Sequence, residues 1–272
     1  MPELPEVETI KNELLFHIIG RQIVSLALPW AGIVRELTVD DFISRLSGRT
    51  ILGLARRGKY LIFSLDGPEA LVMHLRMTGS LLVMPGCTEA GKFVRLVIYL
   101  DNGTAIHFRD PRKFGRVWLT PDIGAVIKKL GPEPLDRDFT PQVLAERLAK
   151  RSAPIKALLF DQGFIAGVGN MYADEALHLS GIHPLRPGKS LSGEEIERLY
   201  RAIQEVLTAA ITRSGASVAN YYRPGGELGT AHFDFRVAHF LNGKYCAVCG
   251  APLERIRVRS RGTYYCPACQ PL

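Results

Sequence analysis

The chain has 272 residues, 34 Lys+Arg against 27 Asp+Glu, a formal charge of +7, a pI near 9.2 and 47% hydrophobic residues. That apolar fraction supplies one large or two modest cores and excludes a disordered tail or a fibrous protein. No apolar run approaches the roughly 20 residues that a bilayer crossing needs, and no basic-then-apolar signal segment opens the chain, so a cytoplasmic protein with no membrane partner is expected. The basic balance favours polyanionic partners, a bias shared with many proteins that never touch nucleic acid.

Taken in chain order, residues 5–15 read as a helix, with Pro5 at the first helical position, glutamates in the first turn and apolar residues at helical spacing. Short β-branched and aliphatic runs follow at 23–27, 50–55, 60–65, 71–75, 80–84, 95–100, 105–108 and 117–119, which predicts a β-sandwich over residues 1–130. Asp101-Asn102-Gly103-Thr104 signals a tight hairpin. The prolines of Leu130-Gly131-Pro132-Glu133-Pro134-Leu135-Asp136 set a boundary. Beyond it the period turns helical at 141–151, 155–162, 171–180 and 193–213, giving a mainly α domain over 131–238. Between two of these helices, Ile165-Ala166-Gly167-Val168-Gly169-Asn170-Met171-Tyr172 allows a tight turn and presents backbone amides at a helix start; a simple helix–helix turn explains the spacing equally well.

Cys246, Cys249, Cys266 and Cys269 crowd into the last 27 residues as two Cys-x-x-Cys pairs separated by 16 residues. That spacing offers four thiolates to one structural Zn2+, so residues 239–272 are expected to form a zinc finger. Cys87, alone in a loop, receives no role. Within the finger Arg255, Arg257, Arg259 and Arg261 alternate with smaller residues, so one strand would put all four guanidiniums on one face. A rigid hairpin so decorated suits phosphates, and a solvated basic face is the plainer alternative.

Pro2 is the least ordinary position. Removal of Met1 would leave a secondary amine, more basic than an ordinary α-amine but less so than a lysine's, and a free amine attacks aldehydic carbon to give an electron-withdrawing iminium. Glu3 lies beside it as a proton shuttle, and Glu6 can fix the helix start; without further context, Pro2 and Pro5 would simply initiate a helix.

Here the sequence resembles a known family. Met1-Pro2-Glu3-Leu4-Pro5-Glu6-Val7-Glu8-Thr9 is similar to the start of bacterial formamidopyrimidine-DNA glycosylase, also called 8-oxoguanine-DNA glycosylase, in the superfamily shared with endonuclease VIII. Leu4 favours the purine-lesion branch. Six further matches follow in order: Arg56-Arg57-Gly58-Lys59-Tyr60-Leu61, His74-Leu75-Arg76-Met77-Thr78-Gly79, Asp110-Pro111-Arg112-Lys113-Phe114-Gly115, residues 130–135, residues 166–175 and the four-cysteine finger.

The resemblance implies a multidomain α+β fold: a β-sandwich with a leading helix, a helix–two-turn–helix domain and a C-terminal zinc-finger β-hairpin. It implies a base-excision glycosylase and abasic-site lyase that acts as a monomer on double-stranded DNA carrying damaged bases or abasic sites. Pro2 would be the nucleophile, Glu3 would assist base departure, and Lys59 would donate protons for β-elimination. Arg261 would grip the phosphates beside the lesion and donate for δ-elimination. Met77 and Phe114 would enter the duplex as wedges, with Arg112 facing the orphaned cytosine. From the residues alone Met77 and Phe114 read more readily as core. Asn170 would bind backbone phosphate, with Arg151 and Lys156 near DNA, although both also read as solvated cations.

Three segments depart from the family pattern. Gly91-Lys92-Phe93 stands where a phosphate-contacting histidine is usual. Ala238-His239-Phe240-Leu241 replaces a segment that carries a phosphate-contacting tyrosine, with His239 a substitute. Residues 220–232, expected to cover an extruded base, place Tyr221, Tyr222 and several glycines in an unfamiliar arrangement. Two alternatives stay open on this reading: an endonuclease VIII-like enzyme for oxidised pyrimidines, and a zinc-finger protein that binds lesions without cutting.

Overall fold

A computed structural model of the chain describes residues 1–218 and 220–272. It divides into two compact units, Met1–Lys128 with Ser214–Gly229, and Lys129–Arg213 with Thr230–Leu272. Among the described residues, no helix is long and apolar enough to cross a membrane.

The first unit begins with α1 (Leu4–Ile18), whose Leu4, Val7, Ile10, Leu14 and Ile18 form one buried stripe at helical spacing. Glu3 is its N-cap, so Pro5 occupies the second helical position and not the first. After β1 (Ile23–Ala27) comes α2 (Val39–Leu46), a helix not among the expected elements. Its cap is Thr38, which accepts from the Asp41 amide, and Val39, Phe42, Ile43 and Leu46 stand at i, i+3, i+4 and i+7, a helical signal that is legible in the sequence once Thr38 is read as a cap.

The strands are β2 (Ile51–Arg57), β3 (Tyr60–Leu65), β4 (Ala70–His74), β5 (Ser80–Pro85), β6 (Val94–Leu100), β7 (Thr104–Arg109) and β8 (Arg116–Thr120). They form two antiparallel four-stranded sheets, ordered β1-β6-β7-β5 and β2-β3-β4-β8. Leu61, Phe63, Leu71, Met73, Leu96, Ile98, Ile106 and Phe108 from both sheets share one core with α1, which is the expected sandwich. The β6–β7 turn is the expected hairpin, with the Asn102 carboxamide oxygen accepting from the Thr104 amide at 3.1 Å. A short α3 (Ile123–Ile127) closes this unit's first stretch.

Ser214–Gly229 is the unit's second stretch. Tyr221 is buried in the sandwich core and its hydroxyl donates to Ser214 O at 3.1 Å. The Val83 amide donates to Pro224 O at 2.8 Å, and Arg223 pairs with Glu13 at 2.7 Å. Tyr221 is therefore a packing residue and not a free ring on a loop.

The second unit holds α4 (Pro141–Leu148), α5 (Ile155–Phe160), α6 (Asn170–Ser180) and α7 (Gly193–Thr212), each close to its predicted range. Ser192 and Glu195 form a capping box at the start of α7. The finger contributes one hairpin, β9 (Glu254–Val258) and β10 (Arg261–Tyr265). This corrects the row of four arginines. Val258 pairs with Arg261, so Arg259 and Ser260 make the two-residue turn, with Arg259 at φ +49°. Arg255 and Arg257 alone share a face of one strand.

Candidate active site

At the N-terminus, Met1 is exposed while Pro2, Glu3 and Glu6 are buried. The Glu3 amide donates to Glu6 Oε2 at 2.7 Å, and Glu6 Oε1 accepts from the Ala216 amide at 2.8 Å. One carboxylate thus fixes both the helix start and the returning segment. Gly215 makes this possible: at φ +76°, an added Cβ would lie 2.9 Å from Glu6 Cγ and 3.0 Å from its Oε1. Glu6 is thus a helix-start residue, as the sequence suggested, and its second partner lies 210 residues away.

Lys59 sits in the two-residue turn between β2 and β3, where Gly58 at φ +57° reverses the chain. It is only 5% exposed, so it is not the plain basic loop residue that the pattern allowed. Arg56 braces the turn, donating to Gly58 O at 3.0 Å and to Glu8 at 2.6 Å. The neighbouring His74 is buried, with Nδ1 accepting from the Arg76 amide at 2.9 Å and Tyr60 edge-on at 4.5 Å. Burial, then the charges of Arg76 and Lys59, hold its imidazole well below the ordinary range.

Met77 and the Arg112/Phe114 pair lie on two loops of this unit, 75–79 and 110–115. Phe114 is 40% exposed and carries the Arg112 guanidinium 4.6 Å from its ring centre; Met77 is half-buried. None of the three is sealed in the core, as apolar spacing alone had suggested for Met77 and Phe114. The buried Asp110, quoted in the sequence motif without a role, ties the loops together. It accepts from the Thr78 hydroxyl, from the Arg112 amide at 3.2 Å and from the Gly115 amide at 2.7 Å. Gly115 must lack a side chain, since a Cβ would stand 2.6 Å from Phe108 Cζ.

In the second unit, Lys156 is 1% exposed and forms an ion pair with Asp174, also donating to Asn170 O at 2.5 Å. It is therefore no solvated cation, whereas Arg151 is exposed. Burial pushes the Asp174 carboxyl up to about 7, against the opposing pull of Lys156. Asn170 opens α6, donating from Nδ2 to Gly262 O at 3.0 Å, while its buried Oδ1 has no hydrogen-bond partner among the described residues. Asp174 Oδ2 accepts from the Tyr264 amide at 3.3 Å, and Glu175 accepts from the amides of Arg236, Val237 and Ala238 at 2.7–2.9 Å. Asp174 thereby holds the finger hairpin and Glu175 the segment that leads into the finger, roles that no local spacing signals.

The four cysteine sulfurs lie within 4.8 Å of one another, with Cys249–Cys266 at 3.5 Å and Cys246–Cys269 at 3.8 Å. A disulfide needs about 2.05 Å, whereas a tetrahedron of sulfurs at about 2.3 Å from zinc has edges near 3.8 Å. The donor set fits a structural Zn2+, held by Cys246, Cys249, Cys266 and Cys269. The Ala251 amide draws the Cys249 thiol down to about 7, while burial raises those of Cys266 and Cys269, so their protons leave as the cation binds. Arg261, exposed at the start of β10, places its guanidinium 4.8 Å from the Phe160 ring centre.

Residues 1–117 match the formamidopyrimidine-DNA glycosylase N-terminal domain, 130–221 the formamidopyrimidine-DNA glycosylase H2TH domain, and 243–272 a zinc finger found in FPG and IleRS. The chain is 48% identical to the formamidopyrimidine-DNA glycosylase of Chloroflexus aurantiacus, over 99% of this chain and 98% of that one. It is 44% identical to that of Herpetosiphon aurantiacus, over 99% and 100%. The chain belongs to the formamidopyrimidine-DNA glycosylase family. Among solved structures, Lactococcus lactis Fpg bound to N7-benzyl-Fapy-dG DNA matches with a TM-score of 0.93 and 35% identity over the whole of both chains. The same enzyme bound to abasic-site DNA matches at 0.91 and 35%, over 99% of this chain and 100% of that one.

As an Fpg-family enzyme, the protein is a DNA repair glycosylase and abasic-site lyase with a zinc finger. Its departures from the family pattern now have surroundings. Phe93 and Tyr222 lie on the Arg109 guanidinium, at 5.3 and 5.5 Å, and the Lys92 carbonyl accepts from Arg95 at 3.2 Å. His239, at φ +57°, packs its ring 5.1 Å from that of Tyr264.

Proposed function

We propose that this enzyme removes oxidised purines, 8-oxoguanine and formamidopyrimidines, from duplex DNA through a Schiff base on Pro2, and then cleaves the abasic site by β,δ-elimination. What carries the reading is the fixing of the chain's first residues by Glu6, which bonds the Glu3 amide and the Ala216 amide at once. A nucleophile on a frayed terminus would lose the effective concentration that attack on C1′ needs. One relative of the same fold, Lactococcus lactis Fpg, is seen with Fapy-dG DNA, as a glycine-to-proline variant, and with abasic-site DNA.

After Met1 is removed, the Pro2 nitrogen attacks C1′, the glycosidic bond breaks, and the base leaves with a proton delivered with the help of Glu3. Opening of the sugar leaves a C1′ iminium, which acidifies C2′–H. Loss of that proton expels the 3′ phosphate, and a second elimination expels the 5′ phosphate. Lys59 serves the first elimination and Arg261 the second, each as proton donor. Met77, Arg112 and Phe114 fill the space left by the extruded nucleotide, and Asn170, Arg151 and Lys156 serve backbone binding, Lys156 by holding Asn170. The enzyme acts as a monomer.

Incubation with an 8-oxoguanine duplex and borohydride tests this. A covalent adduct with the wild type, strongly weakened in Pro2→Gly, is expected. Trapping only on abasic DNA would remove the purine specificity, stronger trapping on a thymine-glycol duplex would favour the pyrimidine branch, and no trapping with intact binding would overturn the amine mechanism.

A further inference from the structure

We propose that His178 is a positioning residue of the zinc site, donating a hydrogen bond from α6 to the thiolate of Cys246. Its Nε2 lies 3.4 Å from Cys246 Sγ, and both residues are buried. The other ring nitrogen, Nδ1, is buried with no hydrogen-bond partner among the described residues.

These two facts assign the proton. If a neutral ring carried its hydrogen on Nδ1, that donor would be stranded, while the Nε2 lone pair would face the sulfur lone pairs. With the hydrogen on Nε2, the thiolate accepts it and only an acceptor is left unpaired. A charged ring would also donate from Nε2, so the direction of the bond does not depend on the ring's charge.

The bond has an electrostatic purpose. Four thiolates around one Zn2+ carry a formal charge of −2, concentrated where Cys246 and Cys266 are buried, and buried charge is tolerated only when donors face it. Cys266 Sγ receives the Cys269 amide at 3.4 Å, from within the finger itself. Cys246 receives a side chain 68 residues away. His178 is held in place because α6 and the turn that follows it bond the finger elsewhere: Asn170 to Gly262 O, Asp174 to the Tyr264 amide, and Ile182 O to Gln270 Nε2. Metal-ligand spacing in the sequence gives no sign of this donor.

The test uses the zinc-loaded full chain. His178→Phe keeps a flat ring without the N–H, and His178→Gln keeps a donor. Zinc release to a chromogenic chelator is expected to be about 10-fold faster in His178→Phe, at the low end of the 10–100-fold effects of such outer partners, and largely restored in His178→Gln. In the Co2+-substituted protein, the thiolate-to-metal charge-transfer bands are expected to move to lower energy in His178→Phe. Wild-type release rates and unshifted bands in a folded His178→Phe would overturn the proposal. Should that variant fail to fold, 113Cd-substituted, 15N-histidine-labelled wild type decides: coupling between 113Cd and the His178 Nε2 proton supports the bond, and a proton on Nδ1 alone refutes it.

Discussion

The Thr78 hydroxyl donates to the Asp110 carboxylate, joining the loop that carries Met77 to the loop that carries Arg112 and Phe114. Two backbone amides, of Arg112 and Gly115, converge on the same carboxylate. Each donor stranded in a buried site costs about 1–3 kcal/mol, so Asp110→Ala is expected to lower the unfolding free energy by about 3 kcal/mol or more. Urea titration of the purified chain measures it; a loss under about 1 kcal/mol would mean the loops hold themselves.

Lys156 and Asp174 form a pair that solvent does not reach. Removing one partner strands the other, and such losses run to about 3–5 kcal/mol. Asp174→Asn should therefore destabilise strongly, whereas the double change Lys156→Met with Asp174→Leu should recover part of the difference, the rest being the Tyr264 amide and Asn170 carbonyl left without these partners. If the single and double variants unfold at the same urea concentration, the pair is not the source of the effect.

Gly215→Ala should displace the Glu6 side chain that meets its new methyl group, and so free both amides that Glu6 holds. Overpacking of this kind costs about 1–3 kcal/mol, and positive φ adds to it. The kinetic signature matters more: borohydride trapping should slow at least as much as stability falls, because the fixed Pro2–Glu3 start is what is lost. Unchanged trapping in a destabilised variant would separate the helix start from the chemistry.

Cys249→Ser is expected to abolish zinc binding, unfold the hairpin and weaken binding to damaged DNA, while the sandwich still unfolds cooperatively. Retained affinity in a zinc-free variant, measured by metal analysis and anisotropy side by side, would deny the finger its structural role.

Acid should weaken the first unit. Burial disfavours the charged forms of His74 and His107, so both bind protons more weakly folded than unfolded. The stability they contribute is complete above the unfolded value of about 6.5 and is lost as pH falls through and below it. Asp174, in the second unit, works in the opposite sense: with its folded carboxyl at about 7, stability falls as pH rises from about 4 to 7. The urea midpoint of the sandwich transition should be lower at pH 5 than at pH 7.5, and His74→Asn should narrow the gap. Equal gaps in variant and wild type would exonerate His74.

Much of this was legible in the sequence, because the features concerned are local. Short β-branched and aliphatic runs marked the strands, proline and glycine the breaks, and Cys-x-x-Cys spacing the metal site. The α2 helix was legible too, in Val39, Phe42, Ile43 and Leu46 behind the Thr38 cap, but its two turns lie among strand-like runs and are easily missed; what stayed hidden depended on partners far along the chain. Glu6 reads as an ordinary first-turn acid until Ala216 meets it, and Lys156 reads as a solvated cation until Asp174 covers it. Tyr221 looked like a residue of a base-covering loop, yet fills a place in the core. The arginine row misled because alternation implies one strand only if the strand does not turn, and it turns at Arg259.

Ser214–Gly229 completes a sandwich whose other residues come from the chain's first 128. During synthesis, then, the domain that begins first cannot finish first: with residue 128 made, Glu6 still lacks the Ala216 amide, Val83 lacks Pro224, and the core lacks Tyr221. A fragment cut at residue 128 should remain open and sticky, and the two units are expected to reach their native form together, late, as the last third of the chain emerges.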